Sequence, residues 1–403
     1  MKGIGRRVNF LLLSLFLAFS FSLSFSQDIE TKDGIQFIHN TKKSLKNSSA
    51  NISLELVHTL GDINTSDENL AFYLPEDIVF DDEGNIYVLD SGNHRIQKFN
   101  PDYEYITTLG RQGQGPGEFY LPSALDIDKK NYLYVSDPQN KRIQILKPDG
   151  TEHRTIKFTN ETVGSLRVLN SGNIIMNPTG SLLMIPQSQE KVLPKLVKVY
   201  DREGNPVQEF GERQDYKHVL LNHLGNQYEF AVDEKDHVYL TFLHQNRIEK
   251  YTPEGKLLWR ADRPLNYSME PPKEKGKMET SGRGRMVQLP QMNKSSEGIF
   301  VDSKGRVWVI TLKRQLKDEE KVSKSVRVMR TDRQRTMSVK LEGNTEQTKT
   351  DAYELEVFSP QGILIQRIPL DYFVNEVHIH KDRVFLLDKE RGTKFYEYKI
   401  MKK

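Results

Sequence analysis

Residues 75–110 read PEDIVFDDEGNIYVLDSGNHRIQKFNPDYEYITTLG. Three features decide the reading. A short apolar run, EDIVF, meets an Asp-Asp-Glu-Gly-Asn turn and returns as IYVLD. A second pair, RIQKF and YITTL, is joined by a Pro-Asp-containing turn. Asp, Asn and Gly at those joints favour tight reversals, because Gly takes positive φ freely and Asp or Asn side chains accept backbone N–H groups. The stretch therefore spells four consecutive antiparallel strands.

The first half of this unit recurs as PSALDIDKKNYLYVSD from Pro122, SLRVLNSGNIIMN from Ser165 and YEFAVDEKDHVYLTF from Tyr228. It recurs again as EGIFVDSKGRVWVIT from Glu297 and NEVHIHKDRVFLLD from Asn375. Four strands repeated six times predict an all-β chain, a six-bladed β-propeller of four-stranded antiparallel blades. The last copy ends at TKFYEYKI without a fourth strand. ISLELVHTLGD, from Ile52, resembles the fourth strand of the first unit, so an N-terminal strand is expected to close the ring.

VLDSGNHRIQKF, with Asn93-His94-Arg95, resembles the signature of NHL repeats, and Asn140-Lys141-Arg142 repeats it. GRQGQGPGEFYLP, from Gly110, resembles the loop between NHL blades. The resemblance spans about residues 52–400. It implies an NHL-type propeller of the bacterial secreted kind, a family whose members commonly bind protein or polymer partners.

The start of the chain reads as an export signal, residues 1–26. Lys2, Arg6 and Arg7 precede an apolar run from Val8 to Phe25, and Ser24 and Ser26 suit cleavage before Gln27. An uncleaved signal would be the one route to membrane contact. Residues 27–50 are polar and expected as a flexible lead-in, and 51–403 as the propeller. The chain has no cysteine, which excludes disulfides, thiolate metal sites and a bacterial lipoprotein anchor. Secretion or a periplasmic location follows from the signal. A net charge of +3 gives no footing for specific nucleic-acid binding. A monomer is expected.

Insertions break the even spacing at about 178–194, 262–296 and 313–352, with a shorter one near 212–226 that holds His218 and His223. In an up-and-down blade, second-to-third-strand loops and blade-to-blade loops share one face, so all of these decorate the same side. Residues 313–352 carry eleven Lys/Arg against seven Asp/Glu, and 262–296 carry seven against four. Their excess outweighs that of the whole chain, so the decorated face is the basic one. Arg283, Arg285, Lys313, Arg314, Arg327, Arg330, Arg333 and Arg335 are its candidate residues. They are either solvated loops or an arm for an anionic polymer or a protein partner.

Aligning the innermost strands places Glu76, Ser123, Ser165, Tyr228, Glu297 and Asn375 where each strand begins beside the axis. Asp77, Glu229 and Glu376 follow them. This polar ring either hydrates the channel or binds a polar ligand or cation. No cofactor is predicted. Clustered oxygen ligands leave calcium open, and His378 and His380, two apart on one strand, leave zinc open. Peptidylglycine amidating lyases, six-bladed propellers similar to this one, hold an axial metal on histidines from several blades. Here the other innermost strands supply none. The expected function is a non-catalytic exported scaffold that recognises a protein or polymer through the decorated face. The alternative is a metal-dependent propeller enzyme, of lyase or lactonase type, with an axial site.

Overall fold

The computed structural model describes residues 28–46, 51–62, 64–159, 161–177, 192–281, 284–330, 335–391 and 393–402. The expected export signal, residues 1–26, and most of the 178–194 insertion lie outside the described residues.

Six four-stranded antiparallel blades form the ring. The first blade is Pro75–Phe80, Ile86–Asp90, Arg95–Phe99 and Tyr105–Leu109, numbered outward from the axis. The innermost strands of the others are Ala124–Ile127, Ser165–Val168, Tyr228–Val232, Ser296–Val301 and Glu376–His380. The sixth blade takes its outer strand, Ile52–Leu60, from the other end of the chain, paired antiparallel with Lys394–Lys402. This closure is the one expected from the sequence.

The core is divided into six clusters, one at each junction between neighbouring blades. Leu89 and Val135 pack between blades one and two, and Trp308 and Leu386 between five and six. Val88 and Phe385 pack across the closing junction of six and one. A ring of junctions buries both faces of every blade, which explains the nearly unbroken burial of second strands such as Ile86–Asp90 and Leu133–Asp137.

The NHL-like residues latch the blades. Asp90 accepts Nε of Arg95 at 2.8 Å, Nδ2 of Asn93 at 2.9 Å and the backbone N–H of Tyr73 at 2.7 Å. Asp137 repeats the pattern with Arg142, Asn140 and Tyr120. His94 and Lys141 take the left-handed conformation at the turn. The role is structural, as the turn chemistry implies.

Within the segment expected as a flexible lead-in, residues 28–46 carry regular structure. Asp28–Lys32 and Ile35–His39 form a hairpin, and the second strand runs parallel to Leu257–Asp262 at the outer edge of blade four. The reason is local. Ile38 is 1% exposed in the junction of blades four and five. Asn40 donates to the carbonyls of Asp262 and Gly362 and accepts the N–H of Leu364. The polar character of the segment hid this one apolar anchor.

The longer insertions carry regular structure. Lys277–Ser281 pairs with Gly284–Gln288, and Val322–Arg330 with Arg335–Gly343, each as a two-stranded ribbon. Residues 219–225 form a short helix between blades three and four.

Candidate functional site

A chamber of about 430 Å³ opens on the decorated face, where the innermost strands begin. Pro138 and Gln139 from the second-to-third connection of blade two form part of its wall, as do Thr162, Val163 and Gly164 from the blade two-to-three connection. Glu76, Asp77, Ser123, Ser165, Glu229 and Glu376 line it, so six of the nine expected ring residues converge.

The other three do not line the chamber. Tyr228 is 1% exposed in the junction of blades three and four, and its hydroxyl donates to the Leu196 carbonyl. Successive strand residues point to opposite sides, so Tyr228 turns into the core and Glu229 into the channel. Glu297 is buried and pairs with Lys294 at 3.1 Å. Asn375 accepts the backbone N–H of Lys389 at 3.0 Å and so helps to place that residue.

Two cations were not among the expected residues. Lys389, just after the second strand of blade six, sets its ammonium 2.9 Å from Glu376 and 3.2 Å from Glu76. Burial alone would depress its pKa. The two carboxylates overcome that and hold it above the ordinary lysine value. Arg167 lies two residues beyond Ser165, on the same side of the strand, and its Nη1 is 3.2 Å from Oδ2 of Asp77. Period-two alternation could have found Arg167. Lys389 sits on a connection, where no strand pattern points to it.

Asp77 is a hub. It also accepts the N–H of Leu125 at 3.1 Å and faces Nε2 of His378 at 3.2 Å. Below this layer a second cavity of about 340 Å³, toward the opposite mouth, shares Arg167 and is lined by Phe80, Asp126, His378 and His380. Burial pushes Asp126 up to about 6. Burial also lowers His378 and His380, and His380 stacks on Phe80. Both imidazoles are therefore held toward the neutral form.

Glu229 differs from the other chamber carboxyls. It has no cation within ion-pair distance among the described residues, whereas Glu76 and Glu376 share Lys389 and Asp77 holds Arg167; Glu297, outside the chamber lining, holds Lys294. Burial and the neighbouring Glu376 push Glu229 up to about 8. Both effects favour its protonated form. No group of three or more His, Asp or Glu that could hold a metal ion occurs among the described residues.

Of the basic loop residues, Lys313 is exposed and Arg314 is engaged at the ribbon's base, donating to Glu320 at 2.6 and 2.8 Å. Arg283 and Arg333 lie outside the described residues, as do the side chains of Arg285, Arg327, Arg330 and Arg335.

The family model for the NHL repeat matches residues 72–99. No curated protein matches the chain. Among solved structures, a member of the DUF4221 family from Bacteroides vulgatus is 11% identical, with a TM-score of 0.54 over 87% of this chain and 99% of that one. A Bacteroides fragilis protein described as exported is 12% identical, with a TM-score of 0.52 over 91% and 99%. At such identities the likeness is one of fold. The chain is a six-bladed β-propeller whose first blade carries a match to the NHL repeat.

Proposed function

We propose that the mature chain is an exported, non-catalytic binding propeller that recognises a protein partner on its loop-decorated face, with the axial chamber as the anchoring point. The observation that carries this reading is the chamber itself. It opens where the innermost strands begin and gathers charged groups from blades one, three, four and six around one volume. Pockets with a few convergent polar groups orient ligands. Glu76 and Glu376 are both spent on Lys389, and carboxylates so engaged position a ligand better than they abstract a proton. Export rests on the basic, apolar and Ser-Phe-Ser pattern of residues 1–26.

The test is to pan a displayed peptide library on the mature protein and counter-screen against Gln139→Trp, which fills the chamber from its wall. Peptides that bind the parent and lose binding to the variant are expected. Enrichment that is indifferent to Gln139→Trp, or no enrichment, would overturn the reading.

A further inference from the structure

The chamber's ion pairs leave one acceptor over. Lys389 is shared by Glu76 and Glu376, Arg167 is held by Asp77, and Lys294 is held by Glu297. Glu229 alone faces the chamber without a cation at contact distance among the described residues. The neighbouring strands bring Glu376 and Lys389 from blade six and Arg167 from blade three toward it. Blade five brings Glu297 and Lys294. Glu76 and Asp77 of blade one complete the wall. Each of these cations already has a carboxylate within 3.3 Å.

We infer that the chamber is a socket for the cationic side chain of a lysine or arginine presented by the partner, seated against Glu229. The inference rests on the proposed role of the chamber as an anchor. Three observations favour a cation over an anion. The acceptor without a counter-charge is acidic. The resident cations are satisfied, so an incoming carboxylate would have to break a buried pair, a costly exchange. The uncharged walls include Ala124, Pro138, Val163 and Phe230 beside Ser123, Ser165 and Gln139, which can pass an alkyl stem with a polar tip.

The socket couples binding to protons. Glu229 holds a proton in the free protein, and an ammonium seated beside it favours the carboxylate, so the proton leaves as the ligand enters. Affinity must then rise with pH until Glu229 ionises unaided near pH 8.

Ligand-observed NMR on the mature protein tests this with three probes: N-acetyl-lysine amide, its neutral isostere N-acetyl-norleucine amide, and N-acetyl-glutamate amide. The expected result is binding of the lysine probe alone. Its affinity should rise about tenfold per pH unit between about pH 5.5 and 7.5 and fall at least about tenfold in Glu229→Gln at pH 8. Gln is isosteric with the protonated acid, and a melting curve checks that the variant folds. If the norleucine or glutamate probe binds equally or better, and Gln139→Trp abolishes it, the cation class is overturned while the chamber remains a binding site. If no probe binds, both readings fall.

Discussion

The ammonium of Lys389 sits 2.9 Å from Oε2 of Glu376, on the channel wall that Glu229 shares. This contact joins a connection loop to the start of an innermost strand. It also brings acidic groups of neighbouring blades together, because Lys389 pairs with both Glu76 and Glu376. Four predictions follow from the latches, the chamber and its charges.

Removing Lys389 should unbalance the chamber. Lys389→Met leaves Glu76 and Glu376 facing each other, partly buried, with the cation gone. The expected loss is about 1–3 kcal/mol, measured by urea denaturation at pH 7.5. An unchanged midpoint would mean that the pair is a surface contact of little weight.

Calcium should not compete for the intact chamber. Lys389 already holds the two carboxylates that a hard cation would need, and burial favours the protonated form of Glu229. Neither millimolar calcium nor a chelator should move the Tm of the parent protein. In Lys389→Ala, added calcium should raise Tm. A chelator-sensitive parent would favour the metal-dependent alternative.

The contributions of Glu229 and Asp388 to stability should fall as pH rises from mildly acidic to mildly basic. Glu229 moves from an ordinary 4.5 to about 8 on folding, and burial moves Asp388 from 3.8 to about 7. Across these windows the unfolded chain has released protons that the folded chain still holds, so folding becomes less favourable as pH increases. Glu229→Gln should recover about 1–3 kcal/mol at pH 8 and nothing at pH 4. Thermal melts at the two pH values check the sign, and a larger gain at pH 4 would refute it.

The two NHL-like latches should differ in weight. Arg142 is 8% exposed and donates to Asp137 and to the carbonyls of Gln114, Gly115 and Glu118. Arg95 is 19% exposed and reaches Asp90 and the carbonyls of Glu68 and Ala71. Arg142→Ala should cost about 3–5 kcal/mol and Arg95→Ala about 1–3 kcal/mol. Equal losses in denaturant titrations would show that burial does not set the difference.

The architecture was legible because turn chemistry repeats. Asp81, Asp128, Asp233 and Asp302 each accept backbone N–H groups of the following turn, and that local need writes itself into four of the six copies. The missing fourth strand of the last copy likewise announced the closing partner at Ile52. The N-terminal hairpin escaped because its fixing contacts, through Ile38 and Asn40, are with residues more than two hundred positions away. Glu76, Asp77, Ser123, Ser165, Glu229 and Glu376 could be aligned because they share a place on the innermost strands. Tyr228 was misplaced by one residue of strand parity, and Lys389 enters from a loop. Pairing in three dimensions decides which carboxyl is left without a cation, and no spacing rule states it.

The most direct test of the chamber as the binding site is a crystallographic soak of the mature protein with a mixture of small polar fragments. Fragment density bounded by Glu76, Glu229 and Lys389 is the predicted result. Fragments that gather instead in the cavity beside His378 and His380, or in the groove beside Arg202 between blades two and three, would contradict it.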